Sequence, residues 1–119
     1  MITIENINYD LVHLKVTDPI NVGDFKGIAP QIDALIKEKG TIRLLVDGRA
    51  FKGWKNIKAF KEHFSFVKNH HSKVKKIALI IGHPWQQCLV VFSRLFVHPK
   101  IKVFKADRFE EALKWVTEN

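Results

Sequence analysis

Two hydrophobic periods take turns along the chain, and the switches between them mark out its elements. Ile2–Glu5 and, with one break, Leu11–Val16 alternate apolar and polar residues as half-buried strands do, with the Asn- and Asp-rich stretch Asn6–Asp10 between them. They predict a hairpin. Phe25, Ile28, Ile32, Leu35 and Ile36 then share one face at helical spacing, so a helix is expected from about Phe25 to Lys39. Asp24 stands where its N-cap belongs and Gly40 where its C-terminal glycine belongs. Pro30, inside this pattern, predicts a kink or a later start. Ile42–Val46 is a short apolar run bounded by Gly40 and Asp47-Gly48, the mark of a strand buried on both faces. The polar and aromatic stretch Asp47–Lys55 reads as the loop that leaves it.

The second half repeats a strand-then-helix unit. Asn56 is expected to cap a helix over about Ile57 to Lys68, with Ile57, Phe60, Phe64 and Val67 as its inward stripe. Lys76–Ile81 reads as a buried strand closed by Gly82, followed by a helix over about Trp85 to Phe96 that is apolar nearly all round. Ile101–Phe104 is the last strand, and Asp107 is expected to cap a final helix with Phe109, Ala112, Leu113 and Val116 inward. The order β-β-α-β-α-β-α-β-α over residues 1–119 predicts a single α/β domain. Its five-stranded sheet is mainly parallel, with an antiparallel N-terminal edge strand. Sequential strand order leaves no point where the order reverses, and so no crevice of the kind doubly wound folds use for nucleotides.

Charge adds a second theme. The formal net charge is +8, and the segment from Arg49 to Lys76 holds nine cations against the single acid Glu62. That excess favours an anionic partner, a membrane surface or nucleic acid, met through Lys55, Lys58, Lys61 and Lys68. The competing reading is a solvated lysine-rich helix face. One cysteine, Cys88, excludes an internal disulfide framework and suits a reducing compartment. The start MITIENINYD carries no signal-peptide pattern, and no apolar run reaches membrane-spanning length. A cytoplasmic domain is expected.

Catalytic patterns are absent. There is no G-x-S-x-G, P-loop or G-x-G-x-x-G. His63, His70 and His71 lack the i, i+4 spacing of a metal-binding helix, and Cys88 sits in the most apolar segment. Asp47 and His83 form a conceivable acid–base pair, but without a nucleophile or metal. No enzyme activity, catalytic residue, metal or cofactor is expected. What remains is a binding edge, because loops that leave parallel strands emerge on the same side of the sheet. Asp47, Arg49, Phe51, Trp54, His83 and Trp85, with Arg108 near them, are the candidate ligand-binding residues there. The alternative is that Phe51, Trp54 and Trp85 staple helices to the core.

Several of these stretches carry a family resemblance. Gly40–Leu45, the Phe51-x-Gly53-Trp54 turn, the strand ending ahead of Trp85, and the closing Glu110-Glu-Ala-x-x-Trp115 helix resemble the SpoIIAA-like family. That family consists of bacterial domains related in fold to STAS domains and to the CRAL-TRIO lipid-binding fold. The resemblance implies a five-stranded sheet, no established catalysis, and a regulatory role through a protein partner or a non-polar, lipid-like ligand. In its phospho-regulated members an Asp-Ser pair follows the central strand and the serine is phosphorylated. Asp47 matches the aspartate, but Gly48 stands in place of the serine, and no Ser or Thr occurs between Thr41 and Ser65. The phosphoserine switch is therefore not carried over.

Overall fold

The computed structural model describes residues 1–82 and 100–118. Five strands form one sheet in sequential order: β1 (Ile2–Asn8), β2 (Leu11–Ile20), β3 (Ile42–Trp54), β4 (Val74–Ile81) and β5 (Lys100–Lys105). β1 runs antiparallel to β2, and β2 through β5 are parallel, as the pattern of elements predicts. The described helices are α1 (Val22–Lys39), α2 (Ile57–His70) and α3 (Phe109–Thr117). The helix expected over Trp85 to Phe96 lies outside the described residues.

The sheet is covered on both faces. On one, Val12, Leu14, Ile42 and Val74 pack against Ile28, Ile32 and Leu35 of α1, with Phe66 of α2 at the border. On the other, Leu11, Leu45, Ala78, Ile80 and Phe104 pack against Ala112 and Val116 of α3. Alternation along β3 explains the split: Leu44 and Val46 serve the first face while Leu45 serves the second.

Several boundaries differ from the sequence expectation, each for a local reason. β1 extends to Asn8, so Asn6–Asp10 is not all turn; only Tyr9 and Asp10 connect the hairpin. The N-cap of α1 is Asn21, whose side chain accepts from the Gly23 amide at 3.0 Å. Asp24 instead reaches back to the Asn21 amide at 2.9 Å as the other half of a capping box. Pro30 is exposed within α1 and does not delay its start. The expected loop Asp47–Lys55 is mostly strand: Ala50, Phe51 and Trp54 pair with Thr17, Asp18 and Ile20 of β2. Asp107 does not cap α3; Arg108 occupies the N-cap position without a side-chain cap bond. Asn56 and Gly40 do cap as expected, with Asn56 accepting from the Ala59 amide at 2.9 Å and Gly40 at φ 83°.

The main correction concerns α2. Two faces of this helix satisfy helical spacing, one through Ile57, Phe60, Phe64 and Val67, the other through Ala59, His63, Phe66 and His70. The fold turns the second inward. Ala59 is fully buried, whereas Ile57 is 70% exposed and Phe60 and Phe64 are each 45% exposed. Aromatic stacking compensates for the polar rings on the inward face: His63 lies 5.3 Å from Phe25, and His70 lies 4.1 Å from Phe66.

α3 is held to β3 by charge. Arg43, 8% exposed, donates to the carbonyls of Val116 at 2.9 Å and Glu118 at 2.7 Å, and pairs with Asp10 at 3.2 Å. Lys76 adds bonds to Trp115 and Glu118 carbonyls at 3.0 and 2.9 Å. Cations thus meet the carbonyl end of the helix, where its dipole is negative. Arg43→Ala strands these acceptors and is expected to cost about 3 kcal/mol, lowering the melting temperature by about 10 °C. Asp10→Asn, which keeps an acceptor for Arg43 at a pair whose acid is one-quarter exposed, should cost no more than about 1 kcal/mol. Equal small losses for both, read by thermal and urea denaturation, would contradict the assignment.

Candidate functional site

The residues expected to share one loop edge are divided by a bulge in β3, where the step from Asp47 to Ala50 faces the shorter step from Lys15 to Thr17 of β2 and the alternation of faces shifts. Asp47 and Arg49 point to the α3 face, while Phe51 and Trp54 belong to the cluster under α1 and α2. His83 and Trp85 lie outside the described residues.

On the α3 face, Arg49 grips Asp47 with two parallel bonds, Nε to Oδ1 at 2.9 Å and Nη2 to Oδ2 at 2.7 Å. Asp47 is 6% exposed, so this bidentate geometry is what makes its burial tolerable. The Arg49 hydrogen bond holds the carboxyl below the usual carboxylate range against the upward push of burial, and Asp47 in turn raises the guanidinium. Arg49 also donates to the Ala106 carbonyl at 3.3 Å and lies 5.7 Å over the Phe109 ring, so the pair anchors the start of α3. A carboxylate engaged in this way is a poor base. Gly48 pairs with Ile81 inside the sheet, and a Cβ there would come 3.1 Å from the Ile80 carbonyl oxygen. No group of three or more His, Cys, Asp or Glu residues among the described residues is placed to hold a metal ion.

On the other face, Trp54 is the hub. Phe51 and Phe60 meet it edge-on at 5.3 and 4.9 Å, and its indole N–H donates to His63 Nδ1 at 3.0 Å. This is the staple that joins the end of β3 to α2. Beside it, Ile57, Phe60 and Phe64 present an exposed apolar stripe, bordered by exposed Lys58, Lys61 and Lys68, with Lys55 just ahead of the helix. The basic segment spans both edges of the sheet: Lys55 and Lys58 lie where α2 begins, after β3, whereas Lys75 and Lys76 sit at the start of β4, at the opposite edge of the sheet, toward which α2 carries Lys68. Among the described residues, no helix is long and apolar enough to cross a membrane.

That opposite edge holds what the sequence reading missed. An open concavity of about 440 Å³ lies there, lined by Tyr9, Lys39, Thr41, Arg43, Lys75 and Thr117 among others. The available signal was positional: the hairpin tip, the end of the first helix and the starts of the strands all belong to one edge of a parallel sheet.

Burial pushes His63 down to about 4 from an ordinary value of 6.5. Its Nδ1 accepts from Trp54, so the neutral ring carries its proton on Nε2, and a second proton would set two donors face to face. The unfolded chain binds this proton more readily, so stability is full above about pH 6.5 and falls as the pH drops toward 4. Below that, protonation of Asp47 removes more, because its folded pKa is also depressed. The loss from His63 is at most about 3 kcal/mol. Urea denaturation across pH 4–7 should show this slope, and His63→Gln, which keeps an acceptor for Trp54, should flatten it. A slope unchanged in the variant would contradict the role of His63.

Comparison with known proteins agrees with this architecture. No curated protein matches the chain. Among solved structures, an uncharacterised protein of the DUF3478 family with a SpoIIAA-like fold, from Shewanella loihica PV-4, superposes with a TM-score of 0.78 at 20% identity, covering 98% of this chain and 92% of that one. The anti-sigma factor antagonist SpoIIAA in its unphosphorylated form gives 0.67 at 11% identity, with all of both chains covered. The phosphorylated form of the Bacillus cell fate determinant SpoIIAA gives 0.55 at 14% identity, covering 98% of this chain and 99% of that one. At these identities the structures show a shared fold. A family model described as SpoIIAA-like matches residues 11–117, and the chain belongs to the SpoIIAA-like family.

Proposed function

We propose that this protein is a non-catalytic regulatory binding module that works through α2 and the aromatic end of β3. Its partner is a non-polar ligand or the apolar surface of another protein. The observation that carries this reading is the outward stripe of Ile57, Phe60 and Phe64, continuous with the Phe51–Trp54 pair through the Phe60 contact. A helix that buries only Ala59 while showing two phenylalanines is arranged for a contact beyond its own sheet. The anti-sigma factor antagonist among its fold relatives supports a regulatory role. Gly48 in place of a phosphorylatable serine, and Asp47 closed by Arg49, argue for regulation without that modification.

A second reading rests on a separate observation. Lys55, Lys58, Lys61 and Lys68 are all exposed, and an anionic membrane or nucleic acid laid along α2 would meet them. Salt separates the two, because an apolar contact survives it and a counterion-driven one does not.

Native mass spectrometry beside the denatured mass reports any ligand that co-purifies, and titration with a fluorescent fatty-acid analogue measures apolar binding. The first reading expects probe affinity unchanged in about 0.5 M salt. It also expects at least about a tenfold loss in the Phe60→Glu/Phe64→Glu variant, whose residues lie outside the core. Binding that vanishes with salt, and with Lys58→Glu/Lys61→Glu/Lys68→Glu, would overturn it in favour of the second.

A further inference from the structure

The edge of the sheet where the parallel strands begin carries its own binding geometry, on a surface separate from α2. Two open concavities of about 440 and about 290 Å³ run together there, sharing Arg43 and Lys75. Their linings contribute five cations (Lys39, Arg43, Lys75, Lys76 and Lys100) against two acids, Asp10 and Glu118. Arg43 and Lys76 are committed to carbonyls at the end of α3, and Arg43 also holds Asp10. Lys75 and Lys100 are exposed, and neither pairs with an acid among the described residues. The groove therefore offers positive charge that the fold itself does not consume.

At one end of the groove stands Tyr9. It is 81% exposed, so its ring contributes little to the core. Its backbone has φ 60°, as the first residue of the two-residue turn between β1 and β2, so the turn holds the ring at the hairpin tip. Lys39 Nζ lies 4.8 Å over one side of the ring, which leaves the other side open to solvent. An exposed flat ring at the head of a lysine-lined groove is the combination that single-stranded nucleic acids use, with bases stacking on aromatics and the backbone tracking cations.

We propose that this groove binds single-stranded nucleic acid, with a base stacked on Tyr9 and successive phosphates passing over Lys75 and Lys100. The lysines alone would equally suit an acidic peptide or any other polyanion. Tyr9 decides between them, because free planar bases can stack on a ring presented in this way, whereas carboxylates and phosphates cannot. A duplex, whose bases are already stacked, cannot use it.

Fluorescence anisotropy with a labelled oligothymidylate tests this, using the full chain and a salt series. The expected log–log salt slope is about −1.4, at about 0.7 per phosphate for contacts with Lys75 and Lys100. Lys75→Glu/Lys100→Glu should weaken binding at least about tenfold, whereas Lys26→Glu/Lys105→Glu, an equal charge change elsewhere, should leave it intact. Tyr9→Ala, which keeps the local backbone geometry, should weaken the oligonucleotide roughly five- to hundredfold and leave inorganic polyphosphate binding unchanged. Thermal melts of each variant establish that it is folded. The proposal is overturned if the oligonucleotide fails to bind at low salt, or if polyglutamate binds as tightly as the oligonucleotide. It is equally overturned if Tyr9→Ala has no effect on the oligonucleotide, or if both charge-reversed pairs lose affinity alike. None of these results bears on the apolar surface of α2, so the two readings fail separately.

Discussion

Burying charge is the constraint around which this fold is arranged. The buried charged residues among those described, Arg43 and Asp47, stand on the same strand and the same face, and β3 is the middle strand of five. Neither would be tolerated unpaired. Arg43 is satisfied by the last carbonyls of α3 and by Asp10 at the hairpin tip. Asp47 is satisfied by Arg49, which itself reaches Ala106 and the ring of Phe109 just ahead of and at the start of that helix. One strand therefore grips both ends of α3, and the helix need bury little more than Ala112 and Val116 to be fixed in place.

The two faces of the sheet consequently do different work. The α3 face is held by directional bonds to charged groups, which are intolerant of displacement. The α2 side relies on stacked rings, one buried alanine and two side-chain bonds through histidines, Trp54 to His63 and His70 to Asp33, and leaves Ile57, Phe60 and Phe64 turned outward. A module that must keep its frame while meeting a partner benefits from this division. The Asp47–Arg49 pair serves as a structural clamp at the start of α3.

Much of the fold was legible in the sequence because each strand and helix is patterned locally. Hydrophobic period, Asn56 and Gly40 were enough to order the elements and to predict a sequential, mainly parallel sheet. What was not legible depended on neighbours. Gly48–Trp54 has no strand-like apolar pattern, yet β2 pairs with it as far as Trp54, so tertiary pairing overrides local composition. The orientation of α2 was ambiguous for the same reason: its more hydrophobic face points outward, because His63 and His70 find aromatic partners and Ala59 allows close approach. The candidate site shows the same limit. Asp47, Arg49, Phe51 and Trp54 are near in sequence, but the bulge in β3 separates them into two surfaces, and the groove at the other edge is assembled from residues distant along the chain.

The central claim is that β3 locks α3 while α2 is held more lightly. Native-state hydrogen exchange followed by mass spectrometry tests it most directly, by comparing residues 109–117 with residues 57–70 and with β3. The account predicts that the inner amides of α3 exchange with the slow opening of β3, whereas those of α2 exchange faster through local opening. If α3 exchanged as fast as α2 or faster, the charged clamp would not be what holds the frame together.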